Sequence, residues 1–298
     1  MVTEPDRQPL SAYRERIIDE IARALGASPS GAARRLIGPL FHIPASRFAR
    51  TMARADGAVR TSGLPGGGGS ALHDLGLDPV VWGAERIPRE GSLVVASNHP
   101  GAYDSLALMA AIARKDLKLV ISDVGFTRVF PAASKRFIFA PNTIPDRSRA
   151  LRDALRHLAG GGSLLIYPHI EVEPDPETMP GAREALGEWS RALEIMLCRV
   201  PATRLQLAIV SGILLPRFIG SPLVRLRKTE ARRQKLAEFL QVSWHMVFPK
   251  RVRPRLHVSF APPVGREALP SGRLMPAIVE MARRLLDTHM ASVRGTAA

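Results

Sequence analysis

Apolar residues recur along this chain in two rhythms, and the two alternate over most of its length. Short aliphatic and β-branched runs bounded by turn residues predict strands at 92–97, 117–122, 136–141, 163–168, 205–210 and 255–260. A shorter strand and a turn fit VVWGAERIPREG at 80–91. Between the strands, apolar residues three and four apart predict helices at 105–115, 147–159, 181–198, 228–241 and 274–290. The clearest is 147–159. Leu151, Ala154, Leu155 and Leu158 share one face, Arg149, Arg152, Asp153 and Arg156 lie away from it, and three glycines end it at 160–162. Strands alternating with helices predict an α/β fold over 77–298, with a mostly parallel sheet flanked by helices.

The first 76 residues read differently. A helix is expected at 11–25, started by Ser11 and ended by Gly26. Pro39 and Pro44 are expected to break the segment that follows. SRFARTMARAD at 46–56 puts Arg47, Arg50 and Arg54 on one side of a helix and Phe48, Met52 and Ala55 on another. Such a helix suits a membrane interface, or packs its apolar stripe on the main domain. The Gly/Ser-rich run that follows is expected to hold neither helix nor strand. The organisation is therefore an N-terminal helical segment over 1–60, a linker over 61–76 and the α/β domain from 77. No internal repeat is evident.

Composition narrows the partners. The 298 residues carry a formal charge of +15, from 42 Lys and Arg against 27 Asp and Glu. That balance favours anionic partners, a membrane surface among them. Nucleic acid is not expected, because three Trp and three Tyr supply no interleaved aromatic platform. The single cysteine, Cys198, excludes an intramolecular disulfide and any CxxC zinc site, and its apolar context predicts a buried, inert thiol. The N-terminus lacks an apolar leader core. The longest apolar stretch, 205–219, is interrupted by Ser211, Gly212 and Pro216 and falls short of the ~20 residues that a spanning helix needs. The expectation is a cytoplasmic protein, peripheral on the inner face of the membrane.

Candidate chemistry centres on SNHPGAYDS at 97–105. The strand before it ends at Ser97, so Asn98, His99 and Pro100 sit where ligands bind in open α/β sheets. Gly101 allows a tight turn, and Asp104 stands where a helix should start. Across that junction the Asp104 carboxylate can fold back onto His99, fix its tautomer and leave the other ring nitrogen as a base. Backbone N–H groups near Gly101 are candidates to stabilise an oxyanion. The spacing alone is weak, because His73 and Asp78 repeat it. His73 has no strand before it and reads as a decoy.

The stretch VVWGAERIPREGSLVVASNHPGAYDS resembles the start of the catalytic domain of the glycerolipid acyltransferases, the PlsC-like family. The resemblance covers about Val80 to Pro263. It implies that His99 is the general base and Asp104 its partner, with Asn98 and Gly101 in support. It also implies a lipid acceptor, an acyl-CoA or acyl-carrier-protein donor, no bound cofactor and a membrane-surface location. The Asn-His-Pro-Gly form is similar to the branch that makes ornithine lipids, so an amine acceptor is the alternative.

Later blocks of the family pattern match less well. FIFAPNTIPDRSRA supplies Arg147, and with it Arg149, where a phosphate-bearing acceptor needs a cation. The family's Phe-Pro-Glu-Gly-Thr block is Tyr167, Pro168, His169 and Ile170 here, followed by Glu171, Glu173 and Asp175. Pro168, His169 and Glu171 are therefore candidate acceptor contacts. An acidic loop there disfavours phosphate and tolerates a cationic or neutral acceptor. The alternating acids read as solvated and no metal is expected. The strand LAIVSGILLP at 207–216 resembles the family's fourth block, which walls the acyl site. The chain lacks Gly-x-Ser-x-Gly, a Walker A loop and His-Glu-x-x-His. A rival reading is a non-catalytic basic protein of the membrane surface.

Overall fold

The computed structural model describes residues 10–24, 28, 32–122, 127–140, 143–169, 171–270 and 272–296. Two helices come first, α1 (Leu10–Ala24) and α2 (Ala32–Leu75). The α/β part follows as β1 (Val80–Trp82), β2 (Leu93–Ser97), α3 (Asp104–Ala111), β3 (Lys118–Ile121), β4 (Phe137–Phe139), α4 (Ile144–Ala159) and β5 (Ser163–Ile166). It continues with α5 (Ala182–Ala185), α6 (Ala192–Arg199), β6 (Arg204–Ser211), α7 (Pro216–Ile219), α8 (Pro222–Arg225), α9 (Glu230–Val247), β7 (His257–Phe260) and α10 (Leu274–Thr296).

Seven strands form one sheet in the order β1-β7-β6-β2-β5-β3-β4. The five from β6 to β4 are parallel, and β7 pairs antiparallel with β6. The predicted mostly parallel sheet is what forms. Strand β2 lies near the middle, with all five residues buried. Its side chains alternate between two cores. Leu93 and Val95 pack with α1, α2 and α3, while Val94 and Ala96 pack with α4, α6 and α10. The strand therefore delivers Asn98 and His99 from the most buried part of the sheet.

The N-terminal quarter corrects the sequence reading. Residues 61–75 are helical, so the glycine run is not a linker. Pro39 and Pro44 lie inside α2 and do not break it. The one departure is a kink at Gly63, whose φ of 70° suits glycine, and Pro65 restarts the helix just after it. Burial explains the difference. Ala45, Ala49, Val59, Leu64, Ala71 and Leu72 are all buried, and that apolar contact outweighs weak local propensity. The glycines serve contact. A Cβ on Gly68 would lie 2.7 Å from the Leu106 carbonyl and 2.8 Å from the Ala110 nitrogen, so only glycine lets α2 sit this close to α3.

The arginine-rich face is also anchored. Arg47 donates to the carbonyls of Met246 and Val247 at the end of α9, and Arg54 pairs with Asp74 at 2.6 Å. The apolar stripe of Phe48, Met52 and Ala55 faces inward and lines a cavity. Cys198 is exposed, contrary to expectation, on the outer side of α6.

Candidate active site

The turn after β2 is fixed by bonds that run in three directions. Asn98 donates from Nδ2 to the Val210 carbonyl (2.9 Å) and accepts the Val210 N–H at Oδ1 (2.8 Å). His99 exchanges two bonds with Glu173: its own N–H reaches Glu173 Oε2, and the Glu173 N–H reaches its carbonyl, each at 2.8 Å. Gln234 of α9 donates to the carbonyls of Pro100 and Glu173. The backbone around His99 is thus tied to β6, to the loop after β5 and to α9.

The side chains complete the arrangement. Asp104 is fully buried at the start of α3. Its Oδ2 lies 2.7 Å from His99 Nδ1 and accepts the Gly101 N–H at 3.1 Å. Its Oδ1 accepts from Ser105 (3.0 Å) and Tyr167 (3.1 Å). Both lone-pair sets are used, so the carboxylate cannot turn away from the imidazole. The His99 ring stacks on Tyr167 with centroids 4.3 Å apart and keeps 30% of its side-chain surface open. With Nδ1–H pointed at Asp104, Nε2 is the basic nitrogen. The Gly101 amide, expected to meet an oxyanion, is committed to Asp104.

Charge sets the titration of this group. Burial pulls the His99 pKa down. The attraction of Asp104, its hydrogen bond and the charges of Glu238 and Glu173 outweigh burial, and the imidazole is pushed up to about 9. Glu238, on α9, is raised to about 7 by burial and by Asp104, against the pull of His99. Burial also raises Glu173, although Trp189 Nε1 donates to its Oε1 at 2.9 Å.

His99 opens into a cavity of about 690 Å³ with mainly apolar walls. Phe48, Met52 and Leu64 of α2, Leu106 and Met109 of α3, Leu119 and Ile121 of β3, and Leu151 of α4 all line it. Arg147, Pro168, His169 and Glu171 line the same cavity, so those four expected acceptor residues share a space with His99. Arg149 does not: it lines a separate groove beside Asp146, Asp153 and Arg156. His169 bonds the Glu171 carbonyl and lies 3.2 Å from Glu188. Ile170 lies outside the described residues.

The loop after β5 overturns the reading of its acids. Glu173 and Asp175 are buried and point inward. Asp175 accepts the N–H groups of Gly212, Ile213 and Leu214, and so holds the exit from β6. Glu177 bonds Ser211 (2.5 Å) and His257 (2.7 Å). Only Glu171 of this series is exposed. Among the described residues, no group of three or more His, Cys, Asp or Glu is arranged to hold a metal. The sequence reading passed over Ser105 and Glu238. Glu238 is 134 positions beyond Asp104, and no local pattern marks a residue brought in by a distant helix.

No family model matches the chain, and no curated protein does. Among solved structures, it is similar to the 1-acyl-sn-glycerophosphate (LPA) acyltransferase PlsC from Thermotoga maritima. The two share 14% identity and a TM-score of 0.50, over 95% of each chain. That likeness is one of fold: the sheet flanked by helices and the helical N-terminal segment are common to both.

Proposed function

We propose that this protein is an acyltransferase that moves a fatty acyl group from a thioester, acyl-CoA or acyl-carrier protein, to a glycerolipid or lysophospholipid acceptor. The observation that carries the reading is the buried Asp104–His99 pair at the head of an apolar cavity of about 690 Å³. His99 Nε2 removes the proton from the acceptor's hydroxyl or amine, whose oxygen or nitrogen attacks the thioester carbonyl. The tetrahedral intermediate expels the thiolate, which takes the proton back from His99. Asp104 holds the ring and balances its charge without taking the proton. The apolar walls bury the acyl chain. The fold shared with a structure titled as a lysophosphatidate acyltransferase supports the reading.

A location at a membrane surface goes with this activity. No helix among the described residues is long and apolar enough to cross a membrane. Leu40 and Ile43 on α2 and Trp244 on α9 are exposed, as is Phe248 just after α9, and Arg47 joins the two helices. Large exposed apolar side chains beside cations suit an anionic lipid interface.

The test is transfer of a labelled acyl group to a panel of lyso-lipids and glycerol phosphate by wild type and His99→Ala, with donors offered on CoA and on carrier protein. Loss of a general base costs roughly 10²–10⁴ in rate, and that is the deficit expected. Wild-type turnover by His99→Ala would sink the assignment.

A further inference from the structure

The polar end of the cavity carries more negative charge than one base and its partner require. Asp104 already satisfies His99 Nδ1. Glu238 comes from α9 on the other side of the turn and lines the cavity with His99. A Cβ on Gly101 would lie 3.4 Å from its carboxyl carbon and 3.5 Å from its Oε2. Glu238 therefore stands directly against the turn that carries His99, facing the space where the nucleophile must approach.

We propose that Glu238 selects the acceptor, taking the positively charged nitrogen of an amine-bearing lyso-lipid in preference to a phosphomonoester. This rests on the acyl-transfer reading and names the acceptor class that it leaves open.

Electrostatics decides the sign. Facing His99 are Asp104 from α3, Glu173 from the loop after β5 and Glu238 from α9. A phosphomonoester dianion beside Nε2 adds to that negative field. It is repelled by Glu238 and holds the proton on the imidazole. An ammonium group does the reverse. It pairs with Glu238, offsets the charge that keeps His99 protonated, and releases Nε2 to act as a base. The opposing cations are Lys235, one turn earlier on α9, and Arg147 on α4. Both are exposed, where water weakens their field, whereas Glu238 is half-buried against the turn. His169 and Glu171 also line the cavity; His169 bonds the Glu171 backbone carbonyl and faces Glu188, and the Glu171 carboxylate is exposed, where water weakens its field as it does for the two cations.

The experiment compares kcat/KM for lysophosphatidylethanolamine and lysophosphatidate of the same chain length, in wild type, Glu238→Gln and Glu238→Asp. Glutamine matches glutamate in size and shape but carries no charge, so a purely structural role leaves the ratio of the two acceptors unmoved. A charge-assisted contact predicts that wild type favours the amine by roughly tenfold or more, that Glu238→Gln loses that preference, and that Glu238→Asp keeps much of it. An unchanged ratio in Glu238→Gln, or wild-type preference for lysophosphatidate, overturns the proposal. If folded wild type turns over neither these two nor any acceptor of the panel above with either donor, the acyl-transfer reading fails. Equilibrium binding of the two lyso-lipids to wild type and Glu238→Gln then decides Glu238 by the same ratio.

Discussion

Asn98 and Val210 are joined by two hydrogen bonds, 2.9 Å from Nδ2 to the carbonyl and 2.8 Å from the N–H to Oδ1. The side-chain amide behaves as one more peptide of β2 and extends the β2–β6 pairing past Ser97 and Ala208. The residue before the candidate base is therefore a positioning residue. Asn98→Ala strips both partners from a buried strand. It is expected to lower stability by about 2–3 kcal/mol in urea unfolding and to lower acyl transfer with it. Normal stability would show that the pairing is dispensable.

The raised pKa of His99 fixes the shape of the pH profile. The base form must be neutral, so kcat/KM is expected to climb with pH through a midpoint at about 9 and level off above it. Asp104→Asn keeps an oxygen for Nδ1–H but removes the charge. The rising limb then moves to lower pH while the plateau falls roughly 10²-fold or more. A limb that stays in place would mean that Asp104 does not set the titration.

Two neighbouring glycines give a paired test of why α2 is glycine-rich. Gly68→Ala drives a methyl into the backbone of α3 and is expected to cost about 1–3 kcal/mol. Gly69 is exposed with no atom near its Cβ position, so Gly69→Ala should stabilise the helix by about 0.5–1 kcal/mol. Thermal melts of both variants check this. Equal effects would mean that residues 66–69 do not pack as a helix.

A second polar cluster predicts an acid-side instability. His289 on α10 is buried between Ser211 (2.6 Å) and Ser259 (2.7 Å). Burial and the nearby charge of His257 lower its pKa to about 4, from an ordinary 6.5. The folded state holds the neutral ring, so its contribution is complete above pH 6.5 and is lost as pH falls toward 4. His289→Gln should therefore differ from wild type by an amount that shrinks between pH 7 and pH 4.5. A constant gap in midpoint across that range would rule the titration out.

Much of this was legible locally. The strand ends, the Asn98–Asp104 turn and the helices after it follow from short-range pattern, because each is specified by residues within a few positions. Two features were hidden. The glycine run reads as a linker in isolation, and only the surface of α3 explains why small residues continue a helix there. Glu173 and Asp175 look solvated from their Pro-bounded context, yet their partners lie at His99 and at 212–214. Glu238 was invisible for the same reason, since a helix far along the chain delivers it.

The alternation Glu173-Pro-Asp175-Pro-Glu177 has a practical consequence for anyone redesigning this protein. Its three carboxylates brace three separate parts of the fold: the His99 backbone, the exit from β6, and the Ser211–His257 pair. A library that randomises this stretch in search of new acceptors would mostly return collapsed scaffolds. The positions open to variation without that penalty are exposed side chains that line the cavity, Glu171 and Lys235 among them, so specificity can be altered beside residues that hold the architecture.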